Sequence, residues 1–166
     1  MALEAIDHVD LVVSSLERSL PFYEGLLRPL GYVEVSDIVG EEGERVVYLS
    51  RHQIDGSVGL RQRHSGLAVA DRYAIGLHHL AFSVADRATV DKIASWAREV
   101  GAEIESGPRE YDYTPGYYAV FVHDPDGIKL EFVHRPEDGD LVLRMRVLEA
   151  RLTEVEGPAT RSGSVE

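Results

Sequence analysis

The sequence predicts an α+β fold made of two tandem βαβββ modules. The strongest observation is an internal duplication, in which residues 6–13 match 77–84 and place His8 and His79 at the same position, 71 residues apart. The second observation is that each copy follows the order strand, helix, strand, strand, strand. A self-match at a fixed period indicates two copies of one supersecondary unit, and we expect equivalent residues to meet across a pseudo-two-fold axis.

The first copy begins with residues 5–13, which alternate and are rich in Val and Leu, as in a strand. Leucines at helical spacing then predict a helix over 16–30 that ends at Gly31. Proline is tolerated only in the first turn of a helix, so Pro21 fits if Ser19 restarts the cap. We therefore expect a short turn before the main helix. Strands are predicted over 32–39, 45–50 and 57–63.

The second copy repeats this order. Residues 77–84 predict a strand, and apolar residues at helical spacing predict a helix over 87–100 that ends at Gly101. The run Asp124-Pro125-Asp126-Gly127 is a strong turn signal, because proline presets the second position and glycine closes the turn. The remaining strands are predicted over 102–106, 116–123 and 127–134.

One domain is predicted over 1–136, with module one at 4–63, a linker at 64–76 and module two at 77–135. Residues 137–166 belong to neither copy. The apolar spacing over 140–155 predicts an additional helix, and the small and polar residues after it predict a frayed end. One hypothesis is that this C-terminal helix docks on a partner or on a second subunit.

Composition excludes several classes of partner. The chain has 166 residues, 17 Lys and Arg against 29 Asp and Glu, and a net charge of −12. This charge argues against nucleic acid or an anionic membrane surface and favours a small organic ligand. Cysteine is absent, so any metal must be held by His, Asp or Glu. No run approaches the roughly 20 apolar residues of a membrane span, and no signal pattern opens the sequence. We expect a cytoplasmic protein.

Three motifs carry a resemblance to a known superfamily. They are Ile6-Asp7-His8-Val9, then Ser19-Leu20-Pro21-Phe22-Tyr23 with Leu30-Gly31-Tyr32, and finally Gly116-Tyr117-Tyr118-Ala119-Val120-Phe121 running into Asp124-Pro125-Asp126-Gly127-Ile128-Lys129-Leu130-Glu131. In this order they resemble the vicinal oxygen chelate superfamily, which includes glyoxalases, bleomycin-resistance proteins and extradiol dioxygenases. The resemblance covers residues 4–135. It implies paired modules that form a cupped mixed sheet (glyoxalase/bleomycin resistance/dihydroxybiphenyl dioxygenase-like) with a divalent metal on its concave side.

Carried over position by position, the resemblance places metal ligands at His8, His79 and Glu131. Strand alternation supports Glu131, because Leu130 and Phe132 on either side would cover the helices and turn the carboxylate to the concave face. A glutamate among apolar neighbours needs compensation of its charge, which a metal shared with two imidazoles would provide. This ligand set suits iron, manganese, nickel or zinc with open positions for a substrate.

A fourth ligand is not predicted. Glyoxalase-like members carry a second carboxylate in the fourth strand of the first module, but the constant offset of 71 puts Leu60 opposite Glu131. Strand alternation instead turns Arg61 to the concave face, and a one-residue bulge would reconcile the two registers. Neither residue is a metal ligand. Arg61 is then either an exposed edge charge or a clamp for an anionic substrate.

The first function hypothesis is a metalloenzyme of lyase, isomerase or dioxygenase type. In this hypothesis Glu131 and Asp10 are catalytic, Asp10 being a candidate general base on the same strand face as His8. Tyr113 and Tyr118 would contact the substrate together with Arg61. Together with Tyr111 and Tyr117, these tyrosines are either ordinary strand aromatics or part of a loop that closes over a ligand.

The second function hypothesis, from a different class, is a metal-free protein that holds a drug or natural product between aromatic walls. The bleomycin-resistance branch of the superfamily is similar in fold. The presence of His8, His79 and Glu131 speaks against this hypothesis, so the metalloenzyme is favoured. A homodimer is also expected, because two open sheets leave strand edges for a second copy to cover.

Overall fold

The computed structural model describes residues 6–51, 56–64, 73 and 75–136, together with Met145 and Leu148. The predicted order of elements is confirmed in both copies. In chain order they are β1 (His8–Val13), α1 (Leu16–Leu27) with a 3₁₀ turn (Arg28–Leu30), β2 (Val33–Val39), β3 (Arg45–Ser50), β4 (Ser57–Gln62), β5 (Leu80–Ser83), α2 (Arg87–Glu99), β6 (Ile104–Glu110), β7 (Tyr118–His123) and β8 (Lys129–His134).

Each module forms its own four-stranded mixed sheet. The strand orders are β1-β4-β3-β2 and β5-β8-β7-β6. The first strand of each module pairs in parallel with the last, and the other pairs are antiparallel. As a consequence β1 and β5 are edge strands of two different sheets.

The two modules share one apolar core beneath the helices. The buried cluster joins Leu26 and Leu60 of the first module to Ile93 and Phe132 of the second. The helices approach closely because α1 presents Gly25 to Trp96 of α2. A Cβ atom at Gly25 would lie 2.2 Å from Cζ2 of Trp96, so no larger residue fits there without moving the indole ring.

A buried polar joint connects α1 to the turn between β7 and β8. The hydroxyl of Tyr23, which is fully buried, donates to Oδ2 of Asp124 at 2.9 Å. Oδ1 of Asp124 accepts from the backbone N–H groups of Asp126 at 2.8 Å and Ile128 at 2.7 Å. Oδ2 of Asp126 accepts from the backbone N–H of Ser14 at 2.7 Å. The turn predicted from the sequence therefore also fixes one module against the other.

The predicted turn before the first helix is wrong. The helix begins at Leu16, and the Ser15 hydroxyl caps it by accepting from the backbone N–H of Arg18 at 3.3 Å. Pro21 lies inside the helix and is exposed. An interior proline removes the hydrogen bond to the carbonyl four residues earlier and crowds that carbonyl; Glu17, whose carbonyl is affected, is exposed, so water can hydrate it instead. The helix therefore begins at the Ser15 cap and continues through Pro21.

Strand β6 is longer than predicted and ends at Glu110 rather than at residue 106. Pro108 lies within it, which a strand at the edge of a sheet tolerates because one side of its backbone needs no partner. The pairing of β6 with β7 shifts register twice, between Ile104 and Ser106 and between Ser106 and Arg109. These irregularities extend the strand and bring Arg109 alongside Ala119 of β7.

Most of the predicted linker and C-terminal extension falls outside the described residues. Of 137–166 only Met145 and Leu148 are described, and both are exposed. The docking role of this segment stays a prediction. Within the part of the chain that is described, no helix has the length and apolar content needed to cross a membrane.

Candidate functional site

The candidate site lies on the open face of the second sheet, by which we mean the side away from the helices. Leu130 and Phe132 belong to the core beneath the helices, so Glu131 between them points to the open face. This is the orientation predicted from strand alternation. Glu131 is nevertheless only 3% exposed, because aromatic side chains surround it.

Both carboxylate oxygens of Glu131 have partners. Oε2 lies 3.2 Å from Nε2 of His79, and Oε1 accepts from the hydroxyl of Tyr117 at 2.5 Å. Burial, and then the hydrogen bond to Glu131, raise the pKa of Tyr117. The phenol therefore keeps its proton and acts as the donor. Nδ1 of His79 lies 2.8 Å from Nδ1 of His78, so one of these two nitrogens donates to the other.

These groups line a cavity of about 460 Å³, a size typical of sites for small molecules. One wall is aromatic. Tyr111 and Tyr113 stack with their ring planes 10° apart, Tyr113 meets Tyr117 edge-on at 5.1 Å, and Tyr111 meets Phe121 edge-on at 5.3 Å. The polar lining consists of His78, His79, Glu105, Ser106, Arg109, Lys129 and Glu131.

Two of the charged groups in this cavity neutralise each other. Nζ of Lys129 lies 2.6 Å from Oε1 of Glu105 and 4.4 Å from the centre of the Phe121 ring. The other oxygen of Glu105 lies 2.8 Å from Nε2 of His123. Arg109 lies over the ring of Tyr111, with its guanidinium carbon 4.5 Å from the ring centre. The charge of Lys129 is therefore compensated within the protein.

His8 lies in the first module among other partners. Its Nδ1 is 2.8 Å from Oδ1 of Asp7, and its ring meets Tyr48 edge-on at 5.8 Å. The hydrogen bond to Asp7 raises the pKa of His8. Among the residues that the structure describes, no three His, Asp or Glu side chains are grouped as metal ligands. Of the three predicted ligands, the structure brings together His79 and Glu131.

Arg61 faces the open side of the first sheet, whereas Leu60 is fully buried in the core. The Arg61 guanidinium donates to Oδ2 of Asp10 at 2.7 Å and forms a second ion pair with Glu44. The hydroxyl of Tyr48 donates to the same oxygen of Asp10 at 3.4 Å. Arg61 and the predicted general base Asp10 are thus paired with one another in this structure.

The pairing register shows which residue of module one corresponds to Glu131. Ala81 pairs with Glu131, and Asp10, the equivalent of Ala81 in the first copy, pairs with Gly59. Gly59 is therefore the counterpart of Glu131, and the constant offset fails by one residue in the last strand. A Cβ atom at Gly59 would lie 2.1 Å from Oδ1 of Asp10. The carboxylate of Asp10 occupies the space of the missing side chain.

Substituting Gly59 by alanine is expected to lower the free energy of unfolding by about 1–3 kcal/mol, the usual cost of overpacking a buried position. The added methyl group would displace the carboxylate of Asp10, which Arg61 holds in place. Urea denaturation of Gly59→Ala, Asp10→Ala and the double variant measures the coupling between the two positions. We expect the double variant to lose less stability than the two single losses added together. Strict additivity would contradict the steric account.

The tyrosines were only partly predicted. Tyr113 lines the cavity, but Tyr118 lies on the other face of β7, where its hydroxyl donates to Asp91 of α2 at 2.8 Å. Tyr117 takes the cavity position instead. The sequence placed Tyr117 in the same candidate loop, and continuing strand alternation back from Phe121 and Ala119, which share the open face, would have chosen it over Tyr118. Arg109 was missed because the predicted strand ended at residue 106.

Comparisons with known proteins agree with this architecture. A family model described as Glyoxalase/Bleomycin resistance protein/Dioxygenase superfamily matches residues 5–132. The uncharacterized protein YqjT of Bacillus subtilis (strain 168) is 32% identical over 130 residues, which are 76% of this chain and 95% of YqjT.

Solved structures share the fold. A glyoxylase/bleomycin resistance protein/dioxygenase domain from Frankia sp. EAN1pec has a TM-score of 0.69 at 24% identity, covering 81% of this chain and 99% of that one. The fosfomycin resistance protein FosX from Mesorhizobium loti has a TM-score of 0.60 at 23% identity, covering 84% and 98%. The resemblance predicted from the motifs is confirmed, and the chain belongs to the glyoxalase/bleomycin resistance protein/dioxygenase superfamily.

Proposed function

We propose that this chain is a metal-dependent vicinal oxygen chelate enzyme, of lyase, isomerase or dioxygenase type, that acts on a small oxygenated organic molecule. The observation that carries the proposal is Glu131, a carboxylate only 3% exposed that lies 3.2 Å from Nε2 of His79 in the wall of a cavity. Burying a carboxylate is costly unless its charge is compensated. An imidazole and a carboxylate together are donors that fit iron, manganese, nickel or zinc.

In this proposal His8 is the third ligand and reaches the pair across the open face. His8 lies on β1 and His79 immediately precedes β5, and these are edge strands of two sheets. Within the described strands, neither β1 nor β5 has a second pairing partner. Joining the two edges would bring the duplicated histidines together, either within one chain or between two copies in a homodimer.

A divalent metal bound there would supply Lewis-acid chemistry by polarising two neighbouring oxygens of the substrate. The other roles belong to side chains. Tyr117, which retains its proton, orients Glu131 through Oε1. Tyr111, Tyr113 and Phe121 form a wall that excludes water from one side of the ligand. This proposal gives Tyr117 the substrate-side place that the sequence assigned to Tyr118.

Asp10 remains the candidate general base, but both oxygens of its carboxylate are restricted. Its Oδ2 accepts from Arg61 and Tyr48, whereas Oδ1 is buried without a hydrogen-bond partner among the described residues. The constraint is that Oδ1, which packs over Gly59, must become accessible before it could accept a proton from a substrate. Arg61 would hold this carboxylate in place rather than clamp an anionic substrate.

The second candidate function is a metal-free binding protein for a drug or natural product. The four-ring wall formed by Tyr111, Tyr113, Tyr117 and Phe121 favours it, because such walls bind planar ligands without any metal. The two functions differ in one measurable respect. Ligand binding that persists unchanged after exhaustive chelation would support the binding protein.

The test of the proposal is metal content, measured by inductively coupled plasma mass spectrometry after reconstitution of the full chain with each of the four metals. We expect near-stoichiometric metal that is lost in His79→Ala and in His8→Ala. His64→Ala is the matched control, because His64 is an exposed histidine paired with Glu42. Metal retained in His79→Ala would overturn the proposal, and metal retained only in His8→Ala would remove His8 from the ligand set. A cytoplasmic location stays a prediction.

A further inference from the structure

The charges that line the cavity are unequally compensated. Lys129 lies 2.6 Å from Glu105, and His79 lies 3.2 Å from Glu131. Arg109 also lines the cavity, but among the residues described it forms no ion pair with a carboxylate. Its guanidinium lies over the face of the Tyr111 ring. Among the described residues that line the cavity, Arg109 is therefore the one permanent cation without an ion pair to a carboxylate.

The Tyr111 ring holds this guanidinium at the cavity. An arginine over an aromatic face gains cation–π energy and keeps its N–H donors free along the edge of the guanidinium plane. The Tyr111 ring is itself stacked with Tyr113 at 5.6 Å. Arg109 is exposed, so its N–H donors are accessible, and a guanidinium can donate two parallel hydrogen bonds to a carboxylate or another oxyanion.

The sheet register sets the distance between Arg109 and the Glu131 pair. Arg109 pairs with Ala119, Ala119 pairs with Val133, and Val133 is two residues beyond Glu131. Ordinary strand spacing and rise per residue put the Cα atoms of Arg109 and Glu131 about 12 Å apart. By this register both residues face the open side of the sheet, and the span between them fits a small organic acid with one ring or a short chain.

We propose that the substrate is an organic anion whose carboxylate or phosphonate group binds Arg109 while its vicinal oxygens face His79 and Glu131. This inference rests on the proposed function for the placement of the vicinal oxygens, but the anion site stands on Arg109 alone. The net charge of −12 would repel an anion at long range. A local cation is for that reason the group that selects anionic over neutral ligands here.

The test compares three probes that differ at the anionic end: phenylglyoxylate, its neutral methyl ester, and phenylphosphonate. Isothermal titration calorimetry on the full chain, with chelator and again after metal loading, gives the affinities. We expect at least one anion to bind more tightly than the ester. Arg109→Gln should weaken that binding by about tenfold or more, and Arg109→Lys should restore part of it.

Arg87→Gln is the matched control, because Arg87 also lies over a tyrosine ring, that of Tyr118, but outside the cavity. It should leave all three affinities unchanged. A result in which neither anion binds more tightly than the ester, unchanged binding in Arg109→Gln, or no anion binding by the wild-type chain would each overturn the inference. Failure of the proposed function is separately visible, since it appears as missing metal while Arg109-dependent binding persists in the chelated protein.

Discussion

Replacing Glu131 by glutamine is expected to lower the affinity for divalent metal by about 100-fold or more while the chain stays folded. Substituting a residue that merely supports a ligand already costs about 10- to 100-fold, so losing a ligand's charge should cost at least that much. Glutamine keeps the shape of the side chain and an oxygen that can accept from Tyr117. Competition with a chelator of known affinity measures the change, and turnover should fall in parallel.

The matched control is Glu105→Gln, which removes a second carboxylate from the same cavity. Glu105 is paired with Lys129 and His123 rather than with His79. We expect its removal to leave metal affinity within a few fold of wild type. An equal loss in both variants would mean that the negative charge of the cavity, rather than a ligand at Glu131, attracts the metal. Urea denaturation of the metal-free variants checks that both remain folded.

The second large effect is expected on stability. Asp124→Ala should lower the free energy of unfolding by about 2–4 kcal/mol, because it leaves buried donors without an acceptor. The hydroxyl of Tyr23 and the backbone N–H groups of Asp126 and Ile128 all donate to this one carboxylate. Urea denaturation monitored by the Trp96 fluorescence, which reports on the helix interface, measures the loss.

Asp124→Asn separates the hydrogen bonds from the charge. The amide oxygen can keep the two backbone donors, so we expect a loss of only about 1 kcal/mol. Burial raises the pKa of Asp124 above its ordinary 3.8. The protonated form is then favoured by folding, so this contribution to stability is complete below pH 3.8 and is lost as pH rises through the folded-state pKa. As pH rises from 3.8 through the folded-state pKa of Asp124, wild type should therefore lose stability relative to Asp124→Asn. A gain in relative stability over the same pH range would contradict this explanation.

The sequence predicted the order of elements and the orientation of Glu131 because both depend on apolar alternation. Leu130 and Phe132 must enter the core, which leaves the residue between them no other side. The choice between Leu60 and Arg61 was not decidable in the same way. Strand alternation placed Arg61 on the open face, but the constant offset pointed to Leu60, because the second copy is one residue longer before its last strand.

Other features escaped prediction because they depend on contacts between distant segments. The extension of β6 past Pro108 requires its position at a sheet edge. Tyr117 rather than Tyr118 lines the cavity, because pairing with β8 determines which face of β7 is open. The distance between the two modules depends on Gly25 facing Trp96. In each case the deciding partner lies far away in the chain.

The position of Asp10 over Gly59 changes how the two halves of the molecule compare. Compared column by column, the first half has a glycine where the second has its buried acid. In space the first half also has a carboxylate there, attached to the neighbouring strand. A comparison of aligned columns alone would therefore miss a carboxylate that both halves place at equivalent points of the fold.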